Sequence, residues 1–199
     1  MTNRDEDLVL VERIRQGDAE SFSRLYERYR DRVYGFSYRM LGIQSTAEDV
    51  THEVFLVLIQ SPEKYEAERG SMLTFLCTIA RNYILNQFRR CSYKVEDCFD
   101  EQELALIRDE YEADPLSSLI EQELTAKIDE YIALLPPLQR EVIILRKFQE
   151  LSYFEISLVT GTDVNVVKAR LHRARQSLAK NLAPYMISEG ERYHGLRKS

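Results

Sequence analysis

The sequence predicts an all-α protein: two small helical domains joined by an acidic linker, with a helix-turn-helix in the second domain. Three observations indicate this fold class. Glycine and proline number only 7 and 5 among 199 residues, and no Asn-Gly or Asp-Gly pair marks a β-hairpin. Apolar residues recur three and four positions apart through most of the chain, which is the period of an α-helix. This period is lost in a strongly acidic central stretch.

The first domain, residues 6–91, is expected to begin with two helices. The first covers about Glu6–Gln16 and stops at Gly17, and the second covers Ala19–Leu41 and stops at Gly42. The second helix carries aromatic and apolar residues at alternating spacings of four and three. Because this spacing follows a helix seam, it predicts packed core rather than a platform for stacking bases. The seam consists of Phe22, Tyr26, Tyr29, Val33, Phe36 and Met40.

Two more helices complete the first domain. The third opens with a predicted capping box, Ser45 and Glu48, and continues to about Gln60. A polar loop, residues 61–71, then leads to a fourth helix over about residues 72–90.

The fourth helix combines basic and aromatic residues in a stretch, Gly70–Lys94, that contains no acid. Its apolar surface comes from Phe75, Leu76, Ile79, Tyr83 and Phe88. Its hydrogen-bond donors come from Arg81, Asn82, Asn86, Arg89 and Arg90. Melting DNA requires both kinds of group, since phosphates need neutralising and unstacked bases need flat apolar surfaces. The apolar residues could equally be core, so the pattern alone leaves both interpretations open.

An acidic linker is expected over residues 92–117, where the helical period is lost. From Val95 to Glu130 there are thirteen acidic residues and only two basic ones, Arg108 and Lys127, which gives a net charge of −11. The whole chain carries −6, so the rest of the chain, taken together, is mildly basic, with a net charge of +5. Local charge therefore favours a nucleic-acid partner that the overall charge would argue against.

The second domain is expected over residues 118–183, followed by a polar and frayed tail over residues 184–199. Pro136 and Pro137 interrupt its first helical segment, because proline removes a backbone donor. Residues 138–148 then resume the helix.

This domain ends in a predicted helix-turn-helix. Ser152 and Glu155 can form a capping box for a short helix, and Gly161 is placed to end it. Asp163 can then cap a second helix over residues 164–180. A short helix, a turn at a glycine and a capped second helix are the parts of a helix-turn-helix.

The second helix of this motif holds five Lys or Arg residues and no acid between Val164 and Lys180. One side is an apolar stripe of Val164, Val167, Leu171, Ala174 and Leu178. The opposite side presents Asn165, Ala169, His172, Arg173 and Gln176, with Lys168 and Arg175 at one margin and Arg170 at the other. A merely solvated surface helix usually mixes charge signs, so this outward side favours binding to DNA.

Other classes of function find little support in the residues. The cysteines are odd in number and lack CxxC spacing, which argues against a disulfide framework, a zinc site or a redox sensor. His52 and Glu53 lack the second histidine of an HExxH zinc site, because Leu56 holds that position. Without a phosphate-binding loop or a nucleophile elbow, we expect neither an enzyme nor a cofactor. The polar N-terminus and the lack of a long apolar run indicate a cytoplasmic protein without membrane insertion.

Five motifs follow one another along residues 7–183: "LVERIRQGDAESFSRLYERY", "AEDVTHEVFL", "RGSMLTFLCTIARN", "LPPLQREVIILRKFQELSYFEI" and "VVKARLHRARQSL". In order and spacing they resemble bacterial RNA polymerase sigma factors of the extracytoplasmic-function class (group IV). The resemblance implies a protein that binds core RNA polymerase and directs promoter recognition and transcription initiation, in a stress or envelope response. It also implies an anti-sigma factor as a partner. Since two helical cores account for the apolar stripes, the free protein is expected to be a monomer.

The resemblance further implies three sets of contact residues. The resemblance implies that the clamp helices of the largest polymerase subunit are contacted by Arg39, Leu41, Asp49, Glu53 and Phe55. Phe55 could equally be core. The minus-ten promoter element, as duplex and in melted form, is assigned to Arg81, Asn82, Asn86, Arg89 and Arg90. The minus-thirty-five element is assigned to Asn165, Lys168, Ala169, His172 and Arg173.

Two alternatives stay open at this point. A conventional helix-turn-helix repressor or activator would bind duplex DNA without polymerase, commonly as a symmetric dimer. A pure interaction module would bind polymerase without any promoter function, and it would not need the basic helix.

Overall fold

The computed structural model describes residues 3–91 and 128–196. Within these two ranges the chain is helical and contains no strand, which confirms the predicted all-α class. The predicted linker, residues 92–117, and the start of the predicted second domain lie outside the described residues. No helix in the described ranges is both long and apolar enough to cross a membrane.

The first unit consists of four helices: α1 (Asn3–Arg15), α2 (Ala19–Leu41), α3 (Gln44–Gln60) and α4 (Met72–Cys91). Two 3-10 turns, Pro62–Lys64 and Ala67–Arg69, lie between α3 and α4. Local chemistry sets the ends of α2. The Asp18 carboxylate accepts a hydrogen bond from the Glu20 amide at 3.0 Å, and Gly42 ends the helix with a left-handed φ of 73°. The predicted bounds of α2 are confirmed.

The predicted capping box at the start of α3 is wrong. The helix begins at Gln44, and Ile43 at the cap position makes no side-chain hydrogen bond. The connection from α2 is so short that α3 starts before Ser45, which places the Ser45 hydroxyl inside the first turn instead of at the cap. Glu48 accepts a hydrogen bond from the side-chain amide of Gln44 at 3.0 Å instead.

The second unit contains a helix that includes residues 128–133 (α5), followed by α6 (Pro137–Lys147), α7 (Tyr153–Thr160) and α8 (Val164–Leu196). The predicted break at the two prolines is confirmed. α6 takes Pro137 as its first residue, where a missing backbone N–H costs little. The predicted start and end of α7 are confirmed as well. Ser152 and Glu155 form the full capping box, and Gly161 ends the helix with a φ of 65°.

The last helix continues beyond the end that the sequence suggested. α8 runs for 33 residues, through Pro184 to Leu196, where the sequence suggested an end near residue 183. Proline removes one backbone donor, but extending an existing helix requires no new nucleation. One lost hydrogen bond therefore does not have to end the helix.

One apolar core runs through the described helices. The predicted seam of α2 lies in it, with the four residues toward the C-terminus buried: Tyr29, Val33, Phe36 and Met40. The two seam residues nearer the N-terminus, Phe22 and Tyr26, are only partly buried and pack their rings against Phe55 of α3. The seam is therefore packed core, as predicted, rather than a stacking surface.

In the described ranges, the largest contacts between the two units are those of α7 with α4 and of α6 with α2. Within the second unit, α6, α7 and α8 also pack together, so the helix-turn-helix belongs to the body that touches the first unit. This contact places the second unit beside α2 and α4, which hold several of the predicted binding residues.

Candidate nucleic-acid interface

The outward side of α8 is fixed by a buried stripe on the opposite side. Val167, Leu171 and Ala174 are buried, so the rotation of the helix about its axis is set by packing. The Asp163 carboxylate caps the helix by accepting a hydrogen bond from the Asn165 amide at 2.7 Å, as predicted. The residues assigned to the minus-thirty-five element are all exposed: Asn165, Lys168, Ala169, His172 and Arg173. The structure brings these five side chains together on one basic surface.

Arg170 lies at the margin of this surface and turns inward. Its Nη1 atom is buried without a hydrogen-bond partner among the described residues, and its charge acts on the buried Glu141 carboxylate of α6. Burial raises the pKa of Glu141, while the charges of Arg81 and Arg170 oppose that shift. Arg170 therefore belongs to the interior of the helix-turn-helix unit rather than to its outward basic surface.

α4 presents a smaller polar face. Three of the residues assigned to the minus-ten element are exposed on it: Asn82, Asn86 and Arg89. Their spacings of four and three place them on one side of the helix. Arg81 points elsewhere, because its Nε donates a hydrogen bond to the Glu141 carboxylate of the second unit. Arg90 lies in the last turn of α4.

The apolar residues of α4 are mainly packing residues. Leu76 is buried, and the others are partly buried against the core: Phe75, Ile79, Tyr83 and Phe88. Partial burial holds a ring in place while leaving part of it accessible. Core packing and contact with bases, which the sequence left open as alternatives, are thus compatible in this helix.

Asp49 and Glu53 form an exposed acidic pair on α3, one turn apart. The Tyr83 hydroxyl of α4 donates a hydrogen bond to Glu53 at 3.1 Å. Both acids and Asn86 line a cleft between α3 and α4. The acidic pair therefore borders the polar face of α4.

The other three residues assigned to polymerase lie differently. Leu41 and Phe55 are 8% and 2% exposed, so both belong to the core in this conformation. Arg39 contacts the second unit: its Nε donates to Asp129 Oδ1 at 3.0 Å, and its guanidinium lies 4.0 Å from the centre of the Phe148 ring. Of the five residues assigned to polymerase, only Asp49 and Glu53 lie outside both the core and the contact between the units.

The sequence did not reveal the acids of the second unit that meet these arginines. The burial of Glu141 could have been predicted from the sequence. It lies three and four residues before Ile144 and Leu145, so helical spacing places its carboxylate on the same buried side. No local pattern could have predicted the partner of Asp129, since Arg39 lies 90 residues away in sequence.

Family models match both units in order. The model of Sigma-70 region 2 matches residues 25–92, and the model of Sigma-70, region 4 matches residues 125–178. Together with the basic surface of α8, these matches define the class of protein as an RNA polymerase sigma factor. Such a factor is not an enzyme; it binds core polymerase and promoter DNA, and it directs transcription initiation.

Relatives narrow this class. The chain is 34% identical to the ECF RNA polymerase sigma factor BldN of Streptomyces coelicolor, over 88% of this chain and 65% of that protein. It is 31% identical to the ECF RNA polymerase sigma factor SigW of Bacillus subtilis, over 86% of this chain and 94% of that protein. The chain therefore belongs to the ECF sigma factors. Membership confirms the predicted function in promoter recognition and argues against a conventional repressor or a pure interaction module.

Two solved structures share the fold. CnrH in complex with the cytosolic domain of CnrY has a TM-score of 0.66 and 22% identity, covering 90% of this chain and 99% of that one. The sigma factor RpoE in complex with the anti-sigma factor NepR from Bartonella quintana has a TM-score of 0.62 and 21% identity. The match covers 83% of this chain and 98% of that one. At these identities the likeness concerns the fold alone.

Proposed function

We propose that this ECF sigma factor reads two promoter elements with two separate helices, α8 for the minus-thirty-five element and α4 for the minus-ten element. The observation that supports this most strongly is the exposed basic surface of α8, which a buried stripe holds in a fixed orientation. A helix presented in this way fits the major groove of duplex DNA. The proposed contacts are Asn165, Lys168, Ala169, His172 and Arg173.

The residues of the α8 surface differ in the chemistry that they can supply. Arg173 lies near its centre, where a guanidinium can bond a guanine edge with two hydrogen bonds. Lys168 lies at the margin and suits a phosphate, so its contribution should fall as salt rises. His172 can add a polar contact to one base while contributing little phosphate attraction in its neutral form.

On α4, the proposed contacts to the melted minus-ten strand are Arg81, Asn82, Asn86, Arg89 and Arg90. Extruding a base costs about a few kcal/mol, and contacts with aromatic side chains offset this cost. The rings of Phe75 and Tyr83, which are only partly buried, would supply such contacts. The amides and guanidinium groups then hold bases and phosphates by hydrogen bonds.

We further propose that the acidic pair, Asp49 and Glu53, binds the clamp helices of the largest polymerase subunit. Both carboxylates are exposed one turn apart, which suits a basic partner surface. Leu41 and Phe55 would support this surface from the core side. Arg39 would contribute after leaving its partner in the second unit.

The proposed functional domains are residues 6–91 and 118–183, with residues 92–117 as an acidic linker and residues 184–199 as a tail. Because its partner is core polymerase, we place the protein in the cytoplasm, as a monomer when free. The sigma factor RpoE, which has the same fold, was solved with the anti-sigma factor NepR, and this supports an anti-sigma factor as the regulator of this chain too. A stress or envelope response fits such regulation.

Reconstitution tests this function. The full chain is mixed with bacterial core RNA polymerase and a promoter library in which both elements are randomised, and the transcripts are sequenced. We expect initiation only when chain and core enzyme are both present, with preferred sequences in two separate blocks. Selection of a dyad-symmetric duplex by the chain alone would contradict the proposal and favour a conventional repressor.

A further inference from the structure

The first helix of the chain contacts the loop that leads into α4. α1 packs against the 3-10 turn Pro62–Lys64, and Arg4 Nη2 donates a hydrogen bond to the Ala67 carbonyl in the second 3-10 turn. The same carbonyl accepts a hydrogen bond from the Gly70 amide at 3.3 Å, just before α4 begins. α1 therefore holds this loop at both of its turns.

A buried carboxylate anchors α1 on α2. Asp7 is 2% exposed, and its carboxylate accepts hydrogen bonds from Arg28 Nη1 at 2.7 Å and from the Tyr29 hydroxyl. Arg28 also donates to Glu6 at 3.0 Å, so one guanidinium of α2 holds two successive acids of α1. These directional bonds fix the rotation of α1 about its axis, in addition to the packing of its apolar residues.

Tyr65, in the loop, connects this carboxylate to α4. Its side chain is buried, and burial together with the charge of Asp7 raises the pKa of Tyr65, so the phenol keeps its proton. The hydroxyl has no hydrogen-bond partner among the described residues, so the nearby charge rather than a direct bond links it to Asp7. The centre of the Tyr65 ring lies 5.6 Å from the centre of the Phe75 ring, in the first turn of α4. The contacts therefore run from Asp7 through Tyr65 to Phe75.

The buried carboxylate is a costly way to stabilise the fold. Burial raises the pKa of Asp7 even though Tyr29 and Arg28 oppose the shift, so the ionised carboxyl is disfavoured in the folded protein. In place of a buried ion pair, apolar residues of similar volume often give equal or greater stability. What the hydrogen-bonded ion adds is a defined geometry. The contacts of Asp7 therefore indicate a requirement for position rather than for stability.

We propose that Asp7 is a positioning residue for the minus-ten contact. Together with Arg4 it fixes the loop before α4 and, through Tyr65, holds the Phe75 ring where an unstacked base meets it. α1 itself touches no DNA in this scheme. A ring that is held in place before binding loses less conformational entropy when a base stacks on it, so positioning strengthens binding. The inference rests on the proposed function of Phe75 as a surface for bases.

The first test follows the ring in the free full-length chain. The chain contains no tryptophan, so Phe75→Trp supplies a single fluorescent reporter at this position. In that background Asp7→Asn removes the charge while keeping the size of the side chain, and Glu12→Gln is the matched control at an exposed acid of α1. We expect Asp7→Asn to shift the emission to longer wavelength and to increase quenching by acrylamide relative to Glu12→Gln. Equal emission and equal quenching in the two variants would overturn the proposal.

The second test measures what the position of the ring contributes to DNA binding. Holoenzyme is assembled with the wild-type chain, with Asp7→Asn, with Phe75→Ala or with both substitutions, and its affinity for a single-stranded oligonucleotide of the selected minus-ten sequence is measured. We expect Phe75→Ala to weaken binding about tenfold, as loss of one base stacked on a ring would. Asp7→Asn should weaken it about threefold, which is half of that effect in free energy, and should add nothing in the Phe75→Ala background. Affinity for a duplex of the minus-thirty-five element should be equal in all four proteins.

A general loss of stability would give a different result. It would lower the midpoint of thermal unfolding, weaken the binding of both DNA ligands and add to the effect of Phe75→Ala, and this outcome would overturn the positioning role. An effect of Phe75→Ala without an effect of Asp7→Asn would contradict this inference alone. If Phe75→Ala does not weaken oligonucleotide binding, the proposed function of the ring is wrong, and the inference fails with it.

A further variant keeps the proposal testable if Asp7→Asn does not fold. Arg4→Ala removes the donor to the Ala67 carbonyl at an exposed position, and Arg13→Ala is the matched control at another exposed arginine of α1. In the Phe75→Trp background, Arg4→Ala should increase acrylamide quenching and Arg13→Ala should not. In holoenzyme, Arg4→Ala should weaken binding of the minus-ten oligonucleotide and leave binding of the minus-thirty-five duplex unchanged. Equal quenching and equal affinities in the two variants would overturn the proposal.

Discussion

The two helices that face DNA in the proposed mechanism, α8 and α4, differ in what holds them. α8 is capped by Asp163 and packs on α6 and α7, which directly precede it in sequence. α4 is held in part by distant segments, since Arg81 meets Glu141 60 residues away and Thr74 meets Glu155 81 residues away. The local contacts leave the outward side of α8 free, whereas the distant ones occupy part of α4. In this structure the outward side of α8 is therefore accessible, whereas the second unit occupies part of α4.

The largest effect is expected at Glu141, because its carboxylate serves both helices. Glu141→Ala leaves Arg81 and the buried end of Arg170 without their acid. Breaking a buried ion pair from one side costs about 3–5 kcal/mol, so the free energy of unfolding in urea should fall by that amount. The exposed control Glu150→Ala should change it by less than about 0.5 kcal/mol. Equal stability of the two variants would show that Glu141 does not link the helices.

The next effect concerns the acidic pair beside α4. Reversing Asp49 and Glu53 to Lys should abolish co-purification with core polymerase, because cations would then face a basic surface. Helical content should stay unchanged, since both side chains are exposed. The matched control reverses Glu12 and Glu27, two exposed acids elsewhere on the first unit, and should retain polymerase. If the reversed pair still binds polymerase, the pair is not the core-binding site.

The helix-turn-helix could be predicted in detail because its signals are local. Ser152, Glu155, Gly161 and Asp163 act within three residues of their partners or of the helix end, and each has the predicted role. The capping box at Ser45 failed for the opposite reason. The start of α3 is set by its short connection to α2. The helix-capping preferences of Ser45 and Glu48 do not contain that information.

The same contrast explains how far the binding residues could be predicted. Helical periodicity alone gave the exposed side of α8, because its buried stripe is continuous in sequence. For Arg81 and Arg39 the sequence suggested donors available to ligands, whereas the structure pairs them with Glu141 and Asp129 of the other unit. Which acid of one unit meets which cation of the other depends on how the units pack, and no local pattern carries that information.

A moderate effect on DNA binding is expected at α8. Arg173→Ala should weaken binding to the minus-thirty-five element by about 1–3 kcal/mol if the guanidinium contacts a base, as measured by competition between duplexes for the holoenzyme. Arg175→Ala, at the margin, should reduce affinity without changing the preferred sequence. Arg170→Ala should act on stability instead, because its Nη1 is buried. If Arg173→Ala changes neither affinity nor preference, the outward side of α8 is not the reading surface.

The smallest effect is a pH dependence of the contact between α7 and α4. Burial opposes ionisation of Glu155, but hydrogen bonds from Ser152, Ser71 and Thr74 outweigh it and lower the pKa of this carboxyl. A carboxyl with a lowered pKa in the folded state stabilises the fold above its unfolded-state pKa, about 4.3, and loses that contribution as pH falls through the folded-state value. Hydrogen exchange in α7, corrected for its intrinsic rate, should therefore accelerate on acidification below about pH 4.3. The trend should vanish in Glu155→Gln, and an equal trend in both proteins would contradict the assignment.

That two helices read two separate elements is tested most directly by transcription from one promoter library randomised at both elements. Holoenzyme is assembled with the wild-type chain, with Arg173→Ala or with Asn82→Ala, two substitutions at exposed positions, and the transcribed promoters are sequenced. We predict that Arg173→Ala changes the preferred bases only at the minus-thirty-five element and Asn82→Ala only at the minus-ten element. A change at the same element in both variants, or at neither element in either variant, would contradict the division of recognition between α8 and α4.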